Sequence, residues 1–173
     1  MSKRGHAIVL IGFMGSGKSS SGRALARKTG LSRYDTDEMV AACFGLSISE
    51  IFARMGEEKF RDTETEMLRK LRDVGPVIVV TGGGIVLRPG NVELLRRLGT
   101  VVNLEADEES LFRRISRRKT RPLLQTENPR ATMTELLHIR SPLYRAAADF
   151  HLDTSALTTD EVAEAILKSI ESL

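Results

Sequence analysis

A chain of 173 residues can bury the core of one domain and is too short for two of ordinary size. With 41% hydrophobic and 28% charged residues it has a globular composition, and no run approaches the roughly 18 apolar residues that cross a bilayer, so no membrane role is expected. A net charge of +3 is too small to mark a nucleic-acid binder by its sum, so only its distribution can inform. Cys43, the single cysteine, excludes an internal disulfide and reads as a small core residue; His6, His138 and His151 are too scattered for a metal cluster.

The first element is a short β-rich apolar run, Ala7–Ile11, behind a basic N-terminus. A signal peptide is not expected, because this run leads straight into Gly12-Phe13-Met14-Gly15-Ser16-Gly17-Lys18-Ser19, and a cytoplasmic chain follows from that. That octapeptide fills every required position of the phosphate-binding P-loop, between a buried strand and a helix over Lys18–Lys28 stopped by Gly30. Gly15, Ser16, Gly17, Lys18, Ser19 and Ser20 would cradle phosphates with main-chain N–H groups at a helix N-terminus. Lys18 would reach the β- and γ-phosphates, and Ser19 would offer its hydroxyl to Mg²⁺.

Leu31–Tyr34 is a further short strand, followed by Asp35-Thr36-Asp37. In an extended backbone residues two apart share one side, so one carboxylate could hold a magnesium-bound water while the other accepts a hydrogen bond from a substrate hydroxyl; a turn capping the next helix fits the same residues. From Glu38 to Asp73 the pattern is mostly helical, broken at Gly45 and Gly56, and longer than a simple crossover needs. Arg61, in a stretch rich in Glu and Lys, would ordinarily be a surface residue. The strand Val77–Thr81 runs into Gly82-Gly83-Gly84 rather than into an acid, which favours close approach of a ligand to the main chain there over a merely flexible connection.

After a strand at Val101–Leu104, six of the nine residues from Arg113 to Arg121 are Lys or Arg. A solvated face, a polyphosphate clamp and a nucleic-acid patch all fit such a run, but the absence of interleaved aromatics disfavours nucleic acid. The irregular stretch Arg117–Arg130, with Pro122 and Pro129, has the length of a lid. Pro142 is expected to end the next helix and so fix the direction of Arg140. A weak strand at Phe150–Leu152 precedes the best-marked helix, where Thr158 and Glu161 make a capping box and Val162, Ala163, Ile166 and Ile170 repeat at helical spacing. Strands alternating with helices predict an α/β fold, a parallel sheet flanked by helices, with ligands at the carboxyl ends of the strands.

Taken in order, Ile11 to Ser19, Asp35-Thr36-Asp37, Phe60-Arg61, Gly82-Gly83-Gly84, Arg121-Pro122-Leu123-Leu124 and Arg140-Ser141-Pro142-Leu143-Tyr144 resemble the motifs of the shikimate kinase family across nearly the whole chain. The resemblance implies a P-loop fold like that of nucleoside monophosphate kinases, in a single domain with a substrate-binding insertion over about residues 36–72 and a lid over about 115–130. It implies ATP and Mg²⁺ as requirements, shikimate as acceptor through its 3-hydroxyl, and a monomer. Position by position it gives Asp37 the acceptor hydroxyls and Asp35 a magnesium contact through water. Arg61 and Arg140 take the carboxylate, with Gly83 and Gly84 in the same pocket; Arg121 meets the transferring phosphate and Arg114 stacks on adenine. The family often carries a proline near Thr159, which this chain lacks.

Gluconate kinases and nucleoside monophosphate kinases share the P-loop and a basic lid. Asp37 with two distant arginines suits a polyhydroxylated carboxylic acid, whereas a nucleobase calls for an aromatic or amide-lined pocket, and this chain has no Trp and only two Tyr. A catalytically silent nucleotide-binding regulator would be expected to lose the acid or the lid arginine, and both stand here.

Overall fold

The computed structural model of the protein describes residues 6–117 and 126–172. Five strands, β1 (Ala7–Gly12), β2 (Arg33–Asp35), β3 (Ile78–Val80), β4 (Gly99–Glu105) and β5 (Phe150–Asp153), form one sheet in the order β2-β3-β1-β4-β5. Every neighbouring pair is parallel. β1 is central and buried at each position, as a strand covered on both faces must be.

Alternate side chains of the strands feed two cores. On one face Val9, Ile11, Val79 and Val101 pack with Leu68 and Leu71, with Leu95 and Leu98 of α4 (Pro89–Leu98), and with Met133 and Tyr144 of α6 (Pro129–Ala147). On the other, Ile8, Leu10, Val80 and Val102 pack with Ala24 and Leu25 of α1 (Lys18–Thr29) and with Val162, Ala163 and Ile166 of α7 (Thr159–Glu171). The capping box of Thr158 and Glu161 starts α7 as the spacing predicted. β2 begins two residues later than its sequence signal and ends on Asp35, because Arg33, Tyr34 and Asp35 are the residues that pair with Ile78, Val79 and Val80.

The long segment after β2 is two helices, α2 (Thr36–Phe44) and α3 (Ile48–Lys70), meeting at 90°. Gly45 caps α2 in the left-handed region, and α3 kinks at Gly56, where φ is 82°. Val40, Ile51, Phe60 and Met67 give this segment a small core of its own. Cys43 does not join it: it lies on the same side of α2 as Thr36 and Val40, but in the last turn of the helix, where it is exposed. α5 (Glu108–Ser116) follows β4. Pro142 does not end α6 but sits inside it, five residues before its last. The ring removes one N–H from the ladder. The burial of Met133, Arg140, Tyr144 and Ala147 along one side of α6 holds the helix together across that defect. Among the described residues no single helix is long and apolar enough to cross a membrane.

Candidate active site

Two clefts meet at the carboxyl ends of β1 and β3. The first, about 590 Å³, is lined by Gly15, Ser16, Gly17, Lys18, Ser19, Ser20 and Ser21, by Arg114 and Arg117, and by Thr154, Leu157, Thr158 and Thr159. Gly15 and Gly17 carry φ of 82° and 96°, values that L side chains rarely adopt, so the loop can curl only with glycine there. α1 begins at Gly17 with no side-chain cap and no acid in its first turn, leaving its N–H groups and positive dipole end for an anion. The Ser16 hydroxyl is buried without a hydrogen-bond partner. Lys18 Nζ donates to Gly12 O at 2.8 Å and Phe13 O at 2.9 Å, which holds the ammonium over the loop. An uncapped helix end, a curled loop and an ammonium together fit the phosphates of a nucleotide.

Arg114 lines this cleft beside the phosphate loop. Its Nη1 donates to Gly15 O at 3.3 Å and to Thr154 Oγ1 at 3.0 Å, and Nη2 donates to Thr154 O at 2.8 Å. Thr159, the first residue of α7, lines the same wall.

The second pocket is lined by Met14 of the phosphate loop, Asp37, Ile48, Phe52, Phe60, Arg61, Gly82, Gly83, Gly84 and Arg140. α2 brings Asp37, α3 brings Arg61, the turn after β3 brings the glycines, and α6 brings Arg140. Neither arginine is on the surface: Arg61 is 7% exposed and Arg140 5%. Arg61 Nη1 donates to Glu64 at 2.9 Å, its Nε and Nη2 donate to Glu57, and its guanidinium lies 5.1 Å from the centre of the Phe60 ring. Burial pushes the Glu64 carboxyl up to about 7, against the downward pull of Arg61, and Glu64 Oε1 has no hydrogen-bond partner. Tyr144 donates its hydroxyl to Gly83 O, and burial raises its pKa to about 12.

Two of the three glycines admit the protein's own side chains. A Cβ on Gly84 would lie 2.1 Å from Arg61 Nη2, and one on Gly82 would lie 2.5 Å from Asp37 Oδ1 and 2.9 Å from Glu64 Oε1. Around Gly83 there is ordinary van der Waals room, with Tyr144 Oη at 3.6 Å and Arg140 Nη1 at 3.8 Å. Glycine at 82 and 84 is what lets the carboxylates and the guanidinium converge at the strand end.

Asp35 and Asp37 are not an extended pair sharing one side. Asp35 is the N-cap of α2, its Oδ1 accepting from Asp37 N at 3.0 Å and Glu38 N at 3.3 Å, while Asp37 already lies in the first helical turn. A helix start rotates the second carboxylate away from the first. Asp35 Oδ2 faces Arg33 at 3.4 Å, burial raises the pKa of this carboxyl, and Asp35 lines neither cleft. Arg121 and half of the expected lid, residues 118–125, lie outside the described residues. Sequence reasoning missed Glu64, whose only signal was its position three residues after Arg61 on a helix, and Tyr144, whose partner is distant in the chain.

Residues 14–171 match the family model described as shikimate kinase. The chain is similar to the shikimate kinase of Thermodesulfovibrio yellowstonii, 46% identical over 96% of this chain and 95% of that one, and to that of Ralstonia nicotianae, 44% identical over 95% and 86%. A solved shikimate kinase from Acinetobacter baumannii in complex with shikimate superposes with a TM-score of 0.92 at 37% identity, covering 99% of this chain and 95% of that chain. With the model spanning most of the sequence, relatives alike from end to end, and both clefts at the ends of the parallel strands, the chain belongs to the shikimate kinase family.

Proposed function

We infer that the protein transfers the γ-phosphate of ATP to the 3-hydroxyl of shikimate, giving ADP and shikimate 3-phosphate. The observation that carries this reading is the convergence of Asp37, Arg61 and Arg140 on one pocket walled by Met14 of the phosphate loop. Two cations suit a carboxylate, one acid suits a hydroxyl, and the loop supplies the phosphoryl donor next door.

In this reading the segment from about 36 to 72 is the substrate-binding insertion, and its separate core supports a unit that keeps Asp37 and Arg61 in register. The stretch of about 115–130 is its lid. Arg61 and Arg140 bind the shikimate carboxylate and Gly83 and Gly84 floor the pocket. Asp37 accepts the proton of the attacking hydroxyl, and the oxygen then displaces ADP from the γ-phosphorus in line. Lys18 leaves the loop carbonyls for the β- and γ-phosphate oxygens and balances charge as the terminal bond breaks. Arg121 is assigned to the migrating phosphoryl group and Arg114 to the face of adenine.

Mg²⁺ keeps most of its own waters, so the phosphates held in this cleft and few protein groups would bind it. Ser19, on the cleft wall, would hold it, with Asp35 acting only through water because its Oδ1 caps α2. When bound, the ion supplies positive charge across the phosphate oxygens.

An ADP-release assay offering shikimate, gluconate and AMP in parallel tests the assignment. Shikimate should exceed the others by orders of magnitude; comparable turnover of gluconate or AMP would overturn it.

A further inference from the structure

Thr154 follows β5 and is 3% exposed, yet it faces the nucleotide cleft. Its backbone N donates to Glu105 O at 2.8 Å, which carries the pairing of β4 and β5 one residue beyond the strand. Its hydroxyl lies 3.0 Å from that same carbonyl and 3.1 Å from Ser16 O. A threonine hydroxyl has one proton and two lone pairs. The one proton is shared between two carbonyls, Glu105 O, which keeps a second lone pair beside its backbone donor, and Ser16 O, through which the hydroxyl reaches the phosphate loop. One lone pair then takes Arg114 Nη1 at 3.0 Å while the Thr154 carbonyl takes Nη2 at 2.8 Å. Two bonds to one residue fix the plane of the guanidinium as well as its place. Arg114 donates to the neutral oxygens Gly15 O, Thr154 Oγ1 and Thr154 O, and the neighbouring Asp153 carboxylate acts on it through space, which leaves the guanidinium face for a π-system.

We propose that Thr154 is a positioning residue for ATP, its single hydroxyl fixing the phosphate loop at Ser16 and the guanidinium of Arg114 relative to one another, so that the triphosphate and base ends of the nucleotide meet a cleft already set to one spacing. This rests on the first cleft being the ATP site. Thr154 touches nothing in the acceptor pocket, so its effect falls on the nucleotide alone.

The test is Thr154→Val, equal in shape and lacking the hydroxyl, with Thr154→Ser as the restoring variant and Thr154→Ala should valine not be accommodated. The readouts are KM for ATP, KM for shikimate and the affinity for a fluorescent ADP. Losing one or two neutral hydrogen bonds weakens binding by roughly three- to tenfold. The ATP KM and ADP Kd of Thr154→Val should rise by about that factor, the shikimate KM should stay within about twofold, and serine should recover most of the loss. The proposal is overturned if valine binds ADP like wild type, if serine is as impaired as valine, or if both KM values rise together. Lys18→Met and Arg114→Ala in the same ADP titration separate the two layers of inference. If both weaken binding while Thr154→Val does not, only the role of Thr154 fails; if neither weakens it, the cleft itself has been misread.

Discussion

The nucleotide cleft draws on a contiguous run, Gly15 to Ser21, and on main-chain N–H groups, whereas the acceptor pocket draws on side chains from α2, α3 and α6 around the turn after β3. The first is specified by backbone conformation, with Gly15 and Gly17 in the left-handed region and α1 uncapped. The second is specified by buried charge, two arginines and two acids brought together where glycine leaves room. A main-chain cradle tolerates change at most of its side chains. A pocket of converging charges has no such slack, because removing one partner leaves another buried and uncompensated. Substitutions in the pocket should therefore separate substrate from nucleotide, and substitutions at the loop should do the reverse.

Asp37→Asn should give the largest effect. The amide keeps the shape but cannot take the hydroxyl proton, so kcat should fall by about 10²–10⁴-fold with the ATP KM unchanged. Steady-state kinetics against both substrates checks this, and a loss confined to KM would remove Asp37 from the chemical step. Lys18→Met comes next, with about a 10²–10³-fold loss in kcat as the γ-phosphate loses its fixed cation. Its fold, followed by circular dichroism, should persist, since Lys18 sits at the rim of the core. Near wild-type turnover would end the comparison between the clefts, because the loop would not be the phosphate site.

Arg140→Ala should lower shikimate kcat/KM by about ten- to a hundredfold and leave ATP binding alone, the range for a charge-assisted hydrogen bond in a closed pocket. The methyl ester of shikimate sharpens this: the ester should be poor with wild type, and Arg140→Ala should penalise it far less than the acid. Equal penalties would show that Arg140 does not read the carboxylate.

The remaining effect is on stability and leaves the chemical step aside. Glu64 binds its proton more tightly folded, at about 7, than unfolded, near its ordinary value of 4.5. Between those values the native state holds more protons, so this contribution to stability is greatest on the acid side, declines as pH rises from about 4.5 to about 7, and is flat above. Glu64→Gln should remove that decline, a change on the order of 3 kcal/mol across the window. Urea unfolding of both proteins at several pH values reads the difference, and parallel profiles would mean that Glu64 is ionised throughout.

The phosphate loop was legible because strand, glycines, lysine and helix are adjacent in sequence, and local backbone requirements suffice to write it. Arg61 and Arg140 were not legible as buried residues by pattern alone. A helix segment rich in Glu and Lys around Arg61 reads as a solvated face, and only the family resemblance brought the two arginines to one pocket. Local reading also erred at Pro142 and Cys43, where proline propensity and cysteine's usual burial were overridden by the packing of α6 and by the exposure of the last turn of α2. Asp35 and Asp37 show the same limit within three residues, since a strand that ends and a helix that begins between them rotate the second carboxylate away from the first.

By itself the sequence determined the parallel α/β order, the phosphate loop and the start of α7, because alternating apolar runs, a glycine pattern and a capping box each act over a few neighbouring residues. Only the tertiary structure decided that Glu64 would neutralise Arg61 from within, that Tyr144 would hold Gly83, that Asp35 would cap rather than face the acceptor pocket, and that Thr154 would join the loop to Arg114. Apart from the Arg61–Glu64 pair on one helix, those contacts bridge segments far apart in the chain or turn on which way a helix starts, and the energies of all of them exist only once burial has removed the water that would otherwise satisfy each group.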